Sequence, residues 1–142
     1  MITYDAKITK DRDQKWLVEF PDLPGCLTEG KSLGQAQENA LEALNGYLEA
    51  RCDRNLDFAE PKLRKGKNFF RIPVRINTEF AILLRQLRKF KKLTQTEVAK
   101  RLGISQQAYA KLETPAISNP SLDTIQRVSK TLNFEIAFNW EA

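Results

Sequence analysis

The stretch LTQTEVAKRLGISQQAYAKLE, residues 93–113, constrains the fold more than any other part of this chain. Thr94 and Glu97 have the spacing of a capping box, which begins a helix, and Gly103 has the freedom that a tight turn requires. Ser105 is a typical N-cap for a second short helix. The pattern therefore predicts two short helices that cross at Gly103. Their shared core is predicted to contain Val98, Ala99, Leu102, Ile104, Tyr109 and Leu112.

The second helix of this pair leaves a polar face uncovered. That face carries Gln106, Gln107 and Lys111. A helix that enters the major groove needs such side chains, because Gln can bond N6 and N7 of adenine together and Lys can reach O6 and N7 of guanine. The two helices are thus predicted to form a helix-turn-helix that binds double-stranded DNA.

Charge is distributed unevenly along the chain. Residues 1–61 hold 7 Lys and Arg against 12 Asp and Glu, whereas residues 62–142 hold 16 against 6. The excess is concentrated in residues 62–92, which hold 11 basic side chains and the single acidic Glu79. This asymmetry predicts a polyanion as partner of the second half and a basic partner for the first. It depends on where the chain is divided, because a division after residue 77 gives net charges of +1 and +4. The basic run at residues 85–92 either raises DNA affinity or is only a solvated helix face.

Several classes of function are disfavoured by composition. The chain has no histidine, which removes histidine-based catalysis and most zinc sites, and Cys26 and Cys52 are expected to be reduced packing residues. No apolar run reaches the roughly 20 residues that span a bilayer, and the N-terminus lacks a signal-peptide core. We expect a cytoplasmic protein with no catalytic residue, no metal and no cofactor. The acids that could suggest a metal-dependent nuclease are expected in turns and at loop edges; they are Asp11, Asp13, Asp22 and Glu29.

The first half has the pattern of a small α+β domain. Alternating apolar segments predict β-strands at residues 2–9, 16–20 and 26–29. Ser32 is predicted to cap a helix whose apolar stripe runs to Leu48. Residues 68–76 are predicted to be extended, and Pro73 favours an edge position for that strand. The rigid turn Pro21-Asp22-Leu23-Pro24-Gly25 either only ends a strand or presents a semi-exposed Leu23 to a partner.

The second half is predicted to contain four helices, of which the last covers residues 122–132. An apolar tail then alternates as a final β-strand would. Because an unpaired apolar edge favours aggregation, we expect this strand to pair across a two-fold axis and form a homodimer, the alternative being packing within the chain. The proposed dimerisation residues are Phe134, Ile136, Phe138 and Trp140.

Residues 80–133 resemble the helix-turn-helix domain of the phage-repressor family. The Gln106-Gln107 pair matches that family's base-reading glutamines. Where the family has a Gly in the loop after the second helix, this chain has Thr114-Pro115, which puts that loop's phosphate contacts in doubt. The resemblance implies base contacts from Gln106, Gln107 and Lys111, and phosphate contacts from Thr94, Gln95 and Asn119. The full predicted DNA-binding set is Thr94, Gln95, Ser105, Gln106, Gln107, Lys111 and Asn119.

Residues 1–76 resemble the HicB antitoxin family. The likeness rests on WLVEFPDLPGCLTEG followed by SLGQAQENALEALNGYLEA. It implies a degenerate ribonuclease-H-like β-β-β-α-β domain that blocks HicA, a small basic ribonuclease toxin. It also implies a protein that represses its own operon. Asp22, Leu23 and Glu29 are the predicted toxin-binding residues.

The sequence therefore predicts an α+β protein with two parts. Residues 1–77 form the toxin-binding domain, and residues 78–142 form an all-α helix-turn-helix domain with a terminal β-strand. The alternative is a stand-alone transcriptional regulator whose first domain senses a small ligand, and a co-purifying small basic protein would discriminate the two. An enzyme of ribonuclease-H type is disfavoured by the placement of the acids.

Overall fold

The computed structural model describes residues 1–138 of the chain. They fall into two compact units, Met1–Glu79 and Phe80–Ala142, the second being described up to residue 138. The division lies close to the predicted boundary after residue 77, while the function assigned to each half stays a prediction. No helix in the described chain is both long and apolar enough to cross a membrane.

Unit 1 contains a four-stranded antiparallel sheet and one helix. The strands are β1 (Thr3–Lys10), β2 (Trp16–Glu19), β3 (Leu27–Gly30) and β4 (Phe69–Pro73). Their order across the sheet is β3-β2-β1-β4, so β4 lies at an edge. Proline has no N–H to donate to a neighbouring strand, and an edge strand tolerates Pro73 for this reason. Helix α1 (Leu33–Asp53) begins after Ser32, whose hydroxyl accepts the N–H of Gln35, and contacts all four strands. The predicted β-β-β-α-β order is confirmed.

One face of this sheet is buried under α1. Ala6 and Ile8 of β1 and Val18 of β2 are at most 2% exposed, whereas Lys7, Leu17 and Glu19, which point to the opposite face, are exposed. Gly30 allows the closest approach, because a Cβ there would collide with the backbone nitrogen of Ala36. The apolar stripe of α1 completes the core with Ala36, Ala40, Leu44 and Leu48.

The segment after α1, residues 59–67, is a strap tied to the sheet and not a free linker. The hydroxyl of Tyr4 donates to the carbonyl of Ala59 at 2.8 Å. The N–H of Arg64 donates to the carboxylate of Asp5 at 2.6 Å. Asp5 is buried, and this hydrogen bond satisfies one of its oxygens.

Asp22 holds the same strap, and this corrects the surface position expected for the turn at residues 21–25. Asp22 is 8% exposed and accepts the guanidinium of Arg64 at 2.7 and 2.9 Å and the N–H of Lys62 at 2.9 Å. Leu23 is 1% exposed, so the semi-exposed position predicted for it is wrong. The turn is closed by two backbone hydrogen bonds, from the N–H of Leu23 to the carbonyl of Phe20 and from the N–H of Cys26 to the carbonyl of Leu23.

The ion pair of Asp22 predicts a pH-dependent contribution to stability. The guanidinium of Arg64 beside it holds the pKa of Asp22 below its ordinary value. A lowered folded-state pKa stabilises the fold above the unfolded value of about 3.9, and this contribution disappears as the pH falls through the folded pKa. We expect Asp22→Asn to cost about 1 kcal/mol at pH 7, since Arg64 is partly solvated.

Urea unfolding at pH 7 and pH 3 measures this effect. The stability difference between the native chain and Asp22→Asn should shrink at pH 3, which lies below the unfolded-state pKa of about 3.9, so that the unfolded chain already binds the proton there. The control is Asp13→Asn, at an exposed turn position, which should match the native chain at pH 7. A difference that is the same at both pH values would contradict the assigned role of this ion pair.

Unit 2 is helical, as predicted. Its helices are α2 (Ile76–Phe90), which begins before the unit boundary, α3 (Gln95–Leu102), α4 (Gln106–Leu112) and α5 (Leu122–Leu132). Buried side chains from all four helices form a cluster, which contains Leu84, Val98, Ala99, Leu102, Tyr109, Val128 and Leu132.

The predicted terminal strand is not formed in the described chain. Residues 134–138 carry no helix or strand, and Trp140 lies outside the described residues. Asn133 ends α5 in the left-handed conformation, and Phe134 then packs against the helical cluster. Phe134 therefore does not share a solvent-facing surface with Ile136 and Phe138, which are 45% and 89% exposed.

Candidate nucleic-acid interface

The turn between α3 and α4 has the local geometry that the sequence predicts. The N–H of Thr94 donates to the Glu97 carboxylate at 2.9 Å, and the N–H of Glu97 donates to the Thr94 hydroxyl at 3.1 Å. Gly103 ends α3 in the left-handed conformation with φ 71°. Ser105 caps α4 by accepting the N–H of Ala108 at 3.1 Å. Both helix starts and the turn between them are thus fixed by hydrogen bonds within the motif.

Packing between the helices determines which face of α4 is exposed. Val98 and Tyr109 are fully buried, and Ala99, whose small side chain permits close approach, is 2% exposed. The predicted core position of Tyr109 is confirmed. Because these residues fix the rotation of α4, its opposite face carries Gln106, Gln107 and Lys111 in exposed positions.

The other side chains predicted to contact DNA also lie at or near the surface of unit 2. Thr94 and Ser105 are exposed at the starts of α3 and α4, Asn119 is exposed in the loop before α5, and Gln95 is half-buried. The structure brings Gln95 and Gln106 together, with 2.9 Å between the amide nitrogen of Gln106 and the amide oxygen of Gln95. Binding of any of these side chains to DNA stays a prediction.

A buried carboxylate lies beneath this pair of glutamines. Glu113 accepts Arg88 through Nε at 2.5 Å and Nη2 at 3.0 Å, the hydroxyl of Tyr109 at 2.7 Å, and the amide of Gln95 at 3.0 Å. Arg88 also donates to the carbonyl of Leu93 at 2.8 Å. We call Arg88, Gln95, Gln106, Tyr109 and Glu113 the Glu113 network.

The hydrogen bonds of this network set the charge of its members. Burial alone would raise the pKa of Glu113, but the hydrogen bonds from Arg88, Tyr109 and Gln95 outweigh it and hold that pKa below its ordinary value. Burial, together with the bond to Glu113, raises the pKa of Tyr109. At neutral pH Glu113 is therefore an ionised acceptor and Tyr109 a neutral donor.

The ionised carboxylate orients the two glutamines in turn. A carboxylate only accepts hydrogen bonds, so Gln95 must present its NH₂ group to Glu113 and its carbonyl oxygen to Gln106. The NH₂ group of Gln106 donates to the carbonyl oxygen of Gln95. Its carbonyl oxygen and its second N–H then remain for another partner, and one acceptor beside one donor is what the major-groove edge of adenine requires.

Sequence analysis did not identify Arg88 and Glu113 as parts of this site. Arg88 belongs to the basic run of residues 85–92, where its side chain cannot be told from a solvated one by spacing alone. It is 12% exposed in the structure, and its partner lies 25 residues further along the chain. No local pattern connects two such positions. Arg88 is thus a largely buried structural cation.

The predicted toxin-binding residues do not form one surface. Asp22 and Leu23 point inward, whereas Glu29 of β3 is exposed and pairs with Lys15 at 3.3 Å. Within residues 1–138 no three His, Cys, Asp or Glu side chains are grouped closely enough to hold a metal ion.

Comparison with protein families matches the two parts of the chain separately. Residues 4–67 match the family described as HicB-like antitoxin of bacterial toxin-antitoxin systems. Residues 84–139 match the helix-turn-helix family.

Curated relatives extend over nearly the whole chain. It is 28% identical to "Antitoxin HicB 1" of Photorhabdus laumondii over 138 residues, which is 97% of this chain and 86% of that protein. It is 26% identical to "Antitoxin HicB" of Escherichia coli K12 over 138 residues, covering 94% of this chain and 96% of the relative. A shorter match, 45% identical over 47 residues, is to "UPF0150 protein Ta0767" of Thermoplasma acidophilum, covering 33% of this chain and 68% of that protein.

Proposed function

The chain belongs to the HicB antitoxin family and carries a helix-turn-helix domain, and from this premise we propose that it neutralises a small basic ribonuclease toxin of HicA type and represses its own operon. In this proposal unit 1 binds the toxin in the cytoplasm and unit 2 binds operator DNA as a homodimer. The protein acts by binding in both roles and catalyses no reaction.

The observation that carries the DNA-binding role is the exposed glutamine pair at the start of α4. Gln106 and Gln107 are the first two residues of α4, and the N-terminal end is the part of a recognition helix that contacts base edges. Gln106 is held by Gln95, so its free donor and acceptor have a fixed arrangement before DNA arrives. Such preorganisation reduces the ordering cost of binding. Lys111, one turn further along α4, adds a third base-facing side chain.

The toxin-binding role of unit 1 is supported by the family match of residues 4–67. Residues 1–61 have an acidic excess of five, which suits a basic protein partner, but residues 62–79 offset it, so unit 1 as a whole has no net charge. A small-ligand sensor would need a cavity or a convergent polar site in this unit. The acids Asp5 and Asp22 are occupied instead by the strap, so they offer no such site.

Replacing both glutamines tests the division of labour between the two units. We expect Gln106→Ala with Gln107→Ala to weaken operator binding by about 1–3 kcal/mol for each base that is no longer read, and to relax sequence preference there. The same variant should neutralise the toxin as well as the native chain does. Gel shifts on the DNA upstream of the operon measure the first effect. Co-expression with the product of the adjacent reading frame, scored by growth, measures the second.

The matched control is Gln126→Ala, which removes an exposed glutamine from α5. It should leave both activities unchanged. If the double variant prefers the operator over a mutated operator as strongly as the native chain does, α4 is not the helix that reads the bases. A native chain that never protects against the adjacent gene product would refute the antitoxin role.

A further inference from the structure

The face of the unit 1 sheet opposite α1 carries an unusual patch on β2 and β3. Leu17 and Glu19 of β2 point to this face, because the intervening Val18 is buried on the other. The strand register pairs Leu17 with Glu29 and Glu19 with Leu27. Each leucine therefore has a glutamate directly across from it, and the four side chains alternate in a square. We call these four residues the open-face patch.

The two leucines of the patch are exposed to solvent in the described chain. Leu17 is 41% exposed and Leu27 is 65% exposed. The solvated face of an antiparallel sheet normally carries polar residues, since an apolar side chain there gains nothing from folding. Two neighbouring exceptions, rimmed by polar groups, have the character of a protein-binding surface.

The two glutamates of the patch remain accessible to a partner. Glu29 pairs with Lys15 at 3.3 Å, but both side chains are more than half exposed. Such an ion pair contributes little to stability and exchanges readily with another cation. Glu19 is also exposed, and its other neighbour across the sheet is Lys7 of β1.

A partner would contact the face of these strands and not extend the sheet at its edge. β3 is an outer strand, so its backbone could in principle pair with another chain. The carbonyl of Glu29, however, already accepts the side-chain amide of Asn39 from α1 at 2.8 Å. This hydrogen bond obstructs the ladder in the middle of a four-residue strand, whereas the patch on its face is open.

We propose that the open-face patch is the docking surface for the toxin. This inference rests on the proposed function and assigns the partner to one side of unit 1. The toxin would present an apolar side chain to Leu17 and Leu27 and Lys or Arg side chains to Glu19 and Glu29. Charge complementarity favours this partner at the patch itself, because Glu19 and Glu29 are both exposed there and the proposed toxin is basic, whereas unit 1 as a whole holds 13 basic and 13 acidic side chains.

Binding of the full-length chain to a catalytically inactive form of the adjacent gene product tests the surface. We expect Leu17→Asp to weaken this binding at least about 30-fold, as for a residue at the centre of an interface. Glu29→Lys, which reverses a charge facing a basic partner, should weaken it at least about tenfold and slow association. Titration calorimetry and association kinetics at two salt concentrations measure both effects.

Two control variants place comparable changes on unit 1 outside the patch, one for Leu17→Asp and one for Glu29→Lys. Leu56→Asp changes a leucine that is 42% exposed, which matches Leu17, and Asp53→Lys reverses an exposed charge at the end of α1. Both should bind the toxin as the native chain does, and thermal melts should show all four variants folded. If the native chain binds the toxin but neither patch variant differs from its control, the open-face patch is not the docking surface, and the proposed antitoxin function is unaffected. If the native chain does not bind, the proposed function fails and this inference with it.

Discussion

Replacing Glu113 by Ala is expected to lower the free energy of unfolding of unit 2 by about 3–5 kcal/mol. Glu113 is 5% exposed, and its removal leaves the guanidinium of Arg88 and the hydroxyl of Tyr109 buried without their acceptor. Breaking a buried ion pair by removing one partner costs this much because the remaining charge is no longer compensated. Calorimetric or urea unfolding of the full-length protein at pH 7 measures the loss.

The same substitution is expected to reduce DNA binding in protein that remains folded. Without the carboxylate, Gln95 can turn its amide, and Gln106 loses the partner that fixes its own donor and acceptor. We expect operator affinity at low temperature to fall by about 1–3 kcal/mol, the contribution of one oriented base-reading side chain. Binding to unrelated DNA should change less, since of the residues predicted to contact phosphates only Gln95 belongs to this network.

The charge of Glu113 also predicts a dependence on pH. Because its folded pKa lies below the ordinary value of about 4.3, ionised Glu113 stabilises unit 2 above that pH. The contribution is lost as the pH falls through the folded pKa. Glu113→Gln should therefore be less stable than the native chain at pH 7 and approach it in acid.

Two further variants test whether the ion pair accounts for the stability that Glu113→Ala removes. Glu135→Ala, which removes an exposed glutamate, should leave the free energy of unfolding almost unchanged. Arg88→Met combined with Glu113→Leu should recover part of the stability that Glu113→Ala removes, because no charge is left unpaired. A double variant less stable than Glu113→Ala would mean that packing, and not the ion pair, dominates at this position.

The elements of both units could be predicted because their signals are local. A capping box at Thr94, a left-handed Gly103 and the alternation of β1 and β2 each depend on residues within a few positions of one another. Pro73 predicted an edge strand for the same reason, since a missing donor is a property of one residue.

The features that sequence analysis missed are pairings between distant residues. Asp22 was expected in a turn, as one of the scattered acids, but it is buried beside its partner Arg64, which lies 42 residues away. The next residue, Leu23, is buried as well. Arg88 and Glu113 form their ion pair across 25 residues and three helices. No spacing rule connects such positions, because they meet only when the elements between them have packed.

The tail of the chain shows how a local pattern can be misleading. Alternating apolar residues from Phe134 onward predict a strand, but the left-handed Asn133 turns the first of them onto the helical core. Ile136 and Phe138 remain exposed in the described chain. Exposed aromatic and aliphatic side chains so close together would be stabilised by contact with a second copy of the same surface. The homodimer therefore remains our proposal, although the described tail forms no strand.

Phe138→Asp is therefore expected to convert the protein from a dimer to a monomer. Phe138 is 89% exposed, so the substitution should not unfold the chain, whereas a charge on each side of a symmetric contact repels its counterpart. Operator affinity should fall about a hundredfold or more, because a monomer engages one half-site and loses the high effective concentration of the second. Affinity for an isolated half-site should be unchanged.

Sedimentation equilibrium and gel shifts on full and half operators separate these effects. Leu63→Asp is the control: it places the same charge at a position of unit 1 that is 73% exposed, and it should leave assembly and operator affinity as they are. If Phe138→Asp remains dimeric with native affinity, the tail is not the contact between protomers. The operator would then have to be bound through a different two-fold surface, because one recognition helix cannot provide the affinity of two.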